Sequence, residues 1–158
     1  IILTHGHADH IGGVNEYVRR FGNIKVVADK DEEAMLADPN FNMSTSFGKP
    51  CSVKADITVK DGDELKTGDP TLKFLHTPGH SPGGMCIYLP DENVVFSGDT
   101  LFCQSIGRTD FPGCSFDQLA DSIRTRLFVL PDETDVYPGH MGPTNIGFEK
   151  GHNPFVRM

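Results

Sequence analysis

The chain has 158 residues and a formal net charge of −8, enough length for one domain that buries roughly 68–70% of its unfolded surface. No Lys/Arg cluster exceeds the pair Arg19-Arg20, so the acidic balance disfavours a nucleic-acid partner and leaves small-molecule chemistry as the default. Cys51, Cys86, Cys103 and Cys114 form no C-x-x-C pair, which argues against a disulfide scaffold or zinc ribbon and for reduced thiols in a cytoplasmic protein. No apolar run approaches membrane-spanning length, so no membrane partner is expected.

Ile1-Ile2-Leu3 reads as a short buried strand, and Thr4-His-Gly-His-Ala-Asp-His10 follows it. His5, His7, Asp9 and His10 place four metal-ligand side chains within six positions, a density an apolar core has no use for. Leaving a strand end in extended conformation, His5, His7 and Asp9 would share one face and His10 the other, so that one turn serves two metals. The carboxylate adds negative charge for a second dication, and imidazole suits zinc, iron and similar cations. The chain opens on this strand with Ile1 in place of an initiator Met, and a preceding N-terminal portion is expected.

Ile11, Val14, Val18 and Phe21 fall near helical spacing, closed by Gly22, and predict a helix that anchors the motif. Lys25 to Ala28 reads as a strand. Asp29 with Glu32 three positions on resembles a capping arrangement for a helix that Pro39 stops. Residues 39–55 have no period and predict either a lid or pocket wall or a disordered connection. Asp56 to Leu65 reads as strands about a tight turn at Asp61-Gly62-Asp63.

From Thr71 strands succeed one another: Leu72, Phe74 and His76 on one face leading to Gly79-His80, then Met85 to Leu89, then Val94 to Ser97 leading to Gly98-Asp99. Glycine beside each ligand lets the backbone bend so that the side chain faces a site. Leu101 to Gly113 is irregular. Ser115 with Gln118 predicts a capped helix with Leu119, Ile123 and Leu127 inward. Asp135 to Tyr137 is a last strand, which delivers Gly139-His140. No internal repeat and no composition shift divides the chain, so residues 1–158 read as one domain.

H-x-H-x-D-H followed by His80, Asp99 and His140, each next to glycine at a strand end, resembles the metallo-β-lactamase superfamily. Gly107-Arg108-Thr109-Asp110-Phe111-Pro112, the tail Pro143-Thr144-Asn145-Ile146-Gly147 and Asn153-Pro154-Phe155 are similar to its single-domain glyoxalase II-like hydrolases. The resemblance implies a four-layer αββα sandwich of the α/β class, here lacking its first N-terminal strands. It also implies two divalent metals, zinc foremost with iron or manganese as alternatives. His5, His7 and His80 would hold the first, Asp9, His10 and His140 the second, with Asp99 bridging. Asp9 and Asp99 thereby take part in catalysis.

The implied reaction is hydrolysis of a small-molecule thioester of the hydroxyacyl-glutathione type by a metal-bridging hydroxide. Two dications lower the pKa of a shared water to around 7, and a thiol of pKa roughly 8.5 leaves without a strong general acid. The chain ends without the helical domain that binds glutathione in two-domain glyoxalase II enzymes. Arg108 could clamp a substrate carboxylate or pair with Asp110, and Tyr137 could donate to substrate or pack. His76 is expected behind the ligands or in packing, and His152 in solvent. Persulfide dioxygenases, with one iron on His5, His80 and Asp99, are the competing resemblance. An inert metal-binding domain would need a lost ligand, and all seven are present. RNA cleavage is disfavoured by charge, and a β-lactamase by His10 and by the absence of a Cys in place of Asp99.

Overall fold

The structure is a computed structural model that describes residues 1–157. Its strands alternate inward and outward side chains with period two, and each strand therefore feeds two different interfaces. In β1 (Val27–Asp29) and the residues before it, Val26 and Ala28 face one side while Val27 faces the other. The same alternation divides β4 (Thr71–His76), where Phe74 and Leu75 part company, and β5 (Met85–Leu89), where Met85 and Ile87 oppose Cys86 and Tyr88.

Four layers result. A helical layer of α1 (Ala8–Ile11), α2 (Val14–Phe21) and α3 (Glu33–Ala37) packs through Ile11, Val14 and Leu36 on a small sheet in which β1 pairs in parallel with β2 (Ile57–Val59). Ile2 joins that sheet by a single bridge to Val27. Val27 and Val59 then meet Leu72, Phe74, Met85 and Ile87 of the large sheet. This sheet has six strands in the order β10-β9-β6-β5-β4-β3, with β3 Glu64–Lys66, β6 Val94–Gly98, β9 Asp135–Pro138 and β10 Thr144–Asn145. Only β6 and β9 pair in parallel within it. Its far face carries α4 (Phe116–Ser122), extended by a wider turn over Ile123–Leu127, and α5 (Ile146–His152) through Leu119, Ile123, Leu127 and Ile146. Phe74, 1% exposed between the sheets, stabilises the fold by about 1.5–3 kcal/mol relative to an exposed ring.

Several expectations need correction. The segment after Leu3 does not stay extended: His7 is the last extended residue, and Ala8–Ile11 closes a helical turn that takes Asp9 off the face shared by His5 and His7 and lays the His10 ring 4.0 Å from that of His5. The strands on either side of Asp61-Gly62-Asp63 are no hairpin, since β2 joins the small sheet and β3 the large one. Phe21 stands outside, stacked on Tyr17. Asp29 does cap its turn by accepting from Asp31 N–H at 2.8 Å, but Glu32 does not reciprocate and is fully buried. Within 101–113, β7 (Leu101–Phe102) and β8 (Ser105–Ile106) form a small antiparallel pair. Ser115 caps α4 as expected, accepting from Gln118 N–H. All four cysteines are free thiols.

Candidate metal centre

The large sheet ends its strands beside the α1 turn, and glycine serves in two different ways to bring the candidate side chains there. Gly79 before His80 and Gly98 before Asp99 have φ of +133° and +51°, conformations that L side chains rarely adopt. Gly139 before His140 has no such backbone. It is needed because a Cβ there would overlap Asp99 Oδ1 and press on His10 Cε1. The residues form three overlapping groups whose candidate ligand atoms lie within 4.8 Å of one another: His5, His7 and His80; His5, His10 and Asp99; and Asp9, His10 and His140. Asp99 lies among His80, His10 and His140. Its Oδ2 lies 3.6 Å from His80 Nε2 and 3.4 Å from His140 Nε2, and its Oδ1 lies 3.3 Å from His10 Nε2. Asp9 Oδ2 is 3.1 Å from His140 Nε2 on the open side, where both side chains are 51% exposed.

The lone pairs point inward. His80 Nδ1 lies 2.8 Å from the carbonyl oxygen of Arg108, which can only accept, so the proton of the neutral ring sits on Nδ1 and Nε2 offers a lone pair. That Nε2 is 2.9 Å from Nδ1 of His7. His5 Nε2 and His7 Nε2 are buried without a hydrogen-bond partner. Orphaned polar atoms of this kind cost about 1–3 kcal/mol each, and a set dominated by imidazole nitrogen and carboxylate oxygen fits borderline divalent cations. The residues present therefore fit divalent metal binding.

Electrostatics keep the first group in its ligand form. Burial, then the neighbouring imidazoles, lowers His5 well below the ordinary histidine value. Burial and His80 bring His7 down from 6.5 to about 4, and burial also lowers His80. His10 moves the other way: burial would lower it, but the carboxylates of Asp99 and Asp9 outweigh burial. Asp99 is held low although burial opposes this, because His10, His80 and His140 surround it. In metal-free protein, His7 binds its proton in the unfolded chain near pH 6.5 and in the folded one only near pH 4. Its contribution to stability is thus complete above about pH 6.5 and is lost as pH falls through that window. Melting temperatures of the chelator-treated chain should fall from pH 7 to pH 4, and a flat profile would contradict this placement.

A cavity of about 340 Å³ opens over the centre, walled by Met43, Phe47, Phe102, Arg108 and Phe111. Residues 39–55 thus act as a pocket wall, pinned by buried Asn42, whose side chain donates to Cys51 O and accepts from Ser44 N–H. The Arg108 guanidinium is held by Asp110 through two bonds of 3.0 and 2.8 Å and stacks 4.1 Å over Phe111. Its carbonyl orients His80, while its side chain is already paired. Tyr137 does not reach the cavity; it is 42% exposed beside Phe96 on the sheet. His76 instead contacts Pro82 O, and His152 stacks on Phe148.

A model of the metallo-beta-lactamase superfamily matches residues 1–140. The chain belongs to that superfamily. It is 41% identical to the "Probable metallo-hydrolase YqgX" of Bacillus subtilis, covering 99% of this chain and 74% of that protein. It is 35% identical to hydroxyacylglutathione hydrolase GloC of Haemophilus influenzae, with the same coverage of each. Among solved structures, the BLEG-1 B3 metallo-beta-lactamase superposes with a TM-score of 0.91 at 43% identity, covering 99% of this chain and 76% of that one. TTHA1623 in a di-iron-bound form gives 0.86 at 34% identity, with 99% and 76% covered.

For this metallo-beta-lactamase superfamily chain, sequence reasoning missed two buried carboxylates. Glu32 accepts from Gly6 N–H and Gly83 N–H, at 2.7 Å each. Glu149 accepts from Gln104 N–H, Thr144 Oγ1–H and Asn153 Nδ2–H. Neither has a signal in spacing, because their partners are backbone amides or side chains brought in by the fold. Helix α5 was also missed, although Asn145 before Ile146 is a readable N-cap and accepts from Phe148 N–H.

Proposed function

We propose that the seven side chains hold two divalent cations, zinc foremost and iron or manganese as alternatives, and that the chain hydrolyses thioesters of the hydroxyacyl-glutathione type. The observation that carries this is Asp99, whose carboxylate lies among nitrogens of His80, His10 and His140. The likeness to GloC supports the substrate class. When bound, two such ions supply a water acidified towards neutrality and a Lewis acid for a carbonyl oxygen.

The chain's own residues do the rest. Arg108 O fixes the ring of His80, and Met43, Phe47, Phe102 and Phe111 form an apolar wall that limits water around the carbonyl. The cavity's only cationic side chain outside the ligands, Arg108, is tied to Asp110. A leaving thiol, with a pKa of roughly 8.5, needs no stronger acid. A second cavity of about 440 Å³ shares Ala8, Asp9 and Phe47 with the first and has Lys49 in its wall. This gives room for an acidic thiol arm. Lys49→Ala should raise KM for a glutathione thioester about fivefold, the value of one exposed ion pair, with kcat unchanged. For an uncharged thioester KM should not move.

A second reading, β-lactam hydrolysis, draws support from the 43% identity to BLEG-1 despite His10 and Asp99. The deciding assay loads the chain with metal and offers S-lactoylglutathione, a β-lactam, and glutathione persulfide with oxygen uptake followed. Thioester turnover with two ions per chain is expected. Oxygen uptake with one iron would overturn the proposal in favour of the dioxygenase, and turnover of the β-lactam alone in favour of the lactamase.

A further inference from the structure

Glu32 lies in the tight turn Lys30–Glu32 before α3 and is completely buried. Its Oε1 accepts the amide of Gly6 and its Oε2 the amide of Gly83, both at 2.7 Å. Gly6 stands between His5 and His7, and Gly83 lies three residues after His80. One carboxylate therefore ties together the two loops that carry every ligand of the first group, although they are far apart in the chain. Among the described residues neither amide donates elsewhere.

Both contacts are close because both partners are glycine. A Cβ on Gly83 would overlap the backbone of Glu32, and one on Gly6 would come within 3.2 Å of Oε1. A buried carboxylate carries a desolvation cost that an apolar residue would avoid. Glu149 offers an internal comparison, being equally buried and accepting from three donors, but these are Gln104, Thr144 and Asn153, none of them beside a candidate ligand.

We propose that Glu32 is a positioning residue for the first metal site, holding His5 and His7 in register with His80. This rests on the metal-centre reading and not on the choice of a thioester. Glu32→Gln keeps the shape but turns one acceptor into a donor facing an amide. Glu32→Asp keeps the charge but reaches only one loop.

The test uses the full chain loaded with zinc(II) or cobalt(II) and titrated against a chromophoric chelator, with melting of the metal-free protein recorded beside it. Wild type should hold about two ions. Each Glu32 variant should lose about 10- to 100-fold in affinity at one site and keep the other, with cobalt absorption falling to that of a single ion. Glu149→Gln should lower the melting temperature and leave both affinities within about twofold. The proposal is overturned if both Glu32 variants bind two ions like wild type and differ only in metal-free melting, or if Glu149→Gln weakens metal binding equally. A wild-type chain that binds no pair of ions would overturn the metal-centre reading itself, a result distinct from either.

Discussion

Asp99→Ala should remove catalysis, cutting kcat at least about 100-fold, and lower the metal content from two ions per chain to one or none. Its carboxylate is buried and lies within 3.3 to 3.6 Å of His10, His80 and His140. Without it only the Asp9 carboxylate, at the open side, would offset the charge of two cations. Asp99→Asn separates charge from shape, since it fills the same space, and it too should lose an ion. Metal analysis and a thioester assay on the same preparations provide the check. A fully active, fully loaded Asp99→Ala protein would mean that the two proposed metal sites are not joined through this residue.

Gly139→Ala should be almost as damaging, although it adds one methyl group and removes no ligand. The added Cβ would overlap Asp99 Oδ1 and lie 2.7 Å from His10 Cε1. The Gly139 amide donates to Gly98 O at 2.8 Å, so the strand end cannot swing away without losing a bond to the residue before Asp99. The expected result is a folded protein that retains its first-site ion and loses the second, with activity down about 100-fold. Wild-type activity in this variant would show that the strand ends are not packed as described.

The candidate ligands stand out in the sequence because metal chemistry restricts residue type more tightly than packing does. His5, His7, Asp9 and His10 are dense in the sequence, and His80, Asp99 and His140 each sit beside glycine after an apolar run. Their partition between two metals is what the resemblance implies; the distances bring all seven together in overlapping groups, His10 standing beside both His5 and His140. The local backbone was less legible: an extended H-x-H-x-D predicts a shared face for Asp9, whereas the first turn of α1 takes Asp9 towards His140. Sheet membership on either side of Asp61 was hidden as well, because a turn signal fixes chain reversal and not the pairing partner. Arg108 shows a third kind of limit. Its side chain attracts attention as a clamp, but its carbonyl orients His80, and a carbonyl has no sequence signature. Glu32 was read as a cap on the strength of its spacing from Asp29, while its two bonds lie across the fold at Gly6 and Gly83.

Anomalous diffraction from crystals of the metal-loaded chain should show two peaks, one enclosed by His5, His7 and His80, the other by Asp9, His10 and His140, with Asp99 between them. A loaded crystal with its metal held elsewhere, or with neither group of side chains touching an ion, would contradict this arrangement.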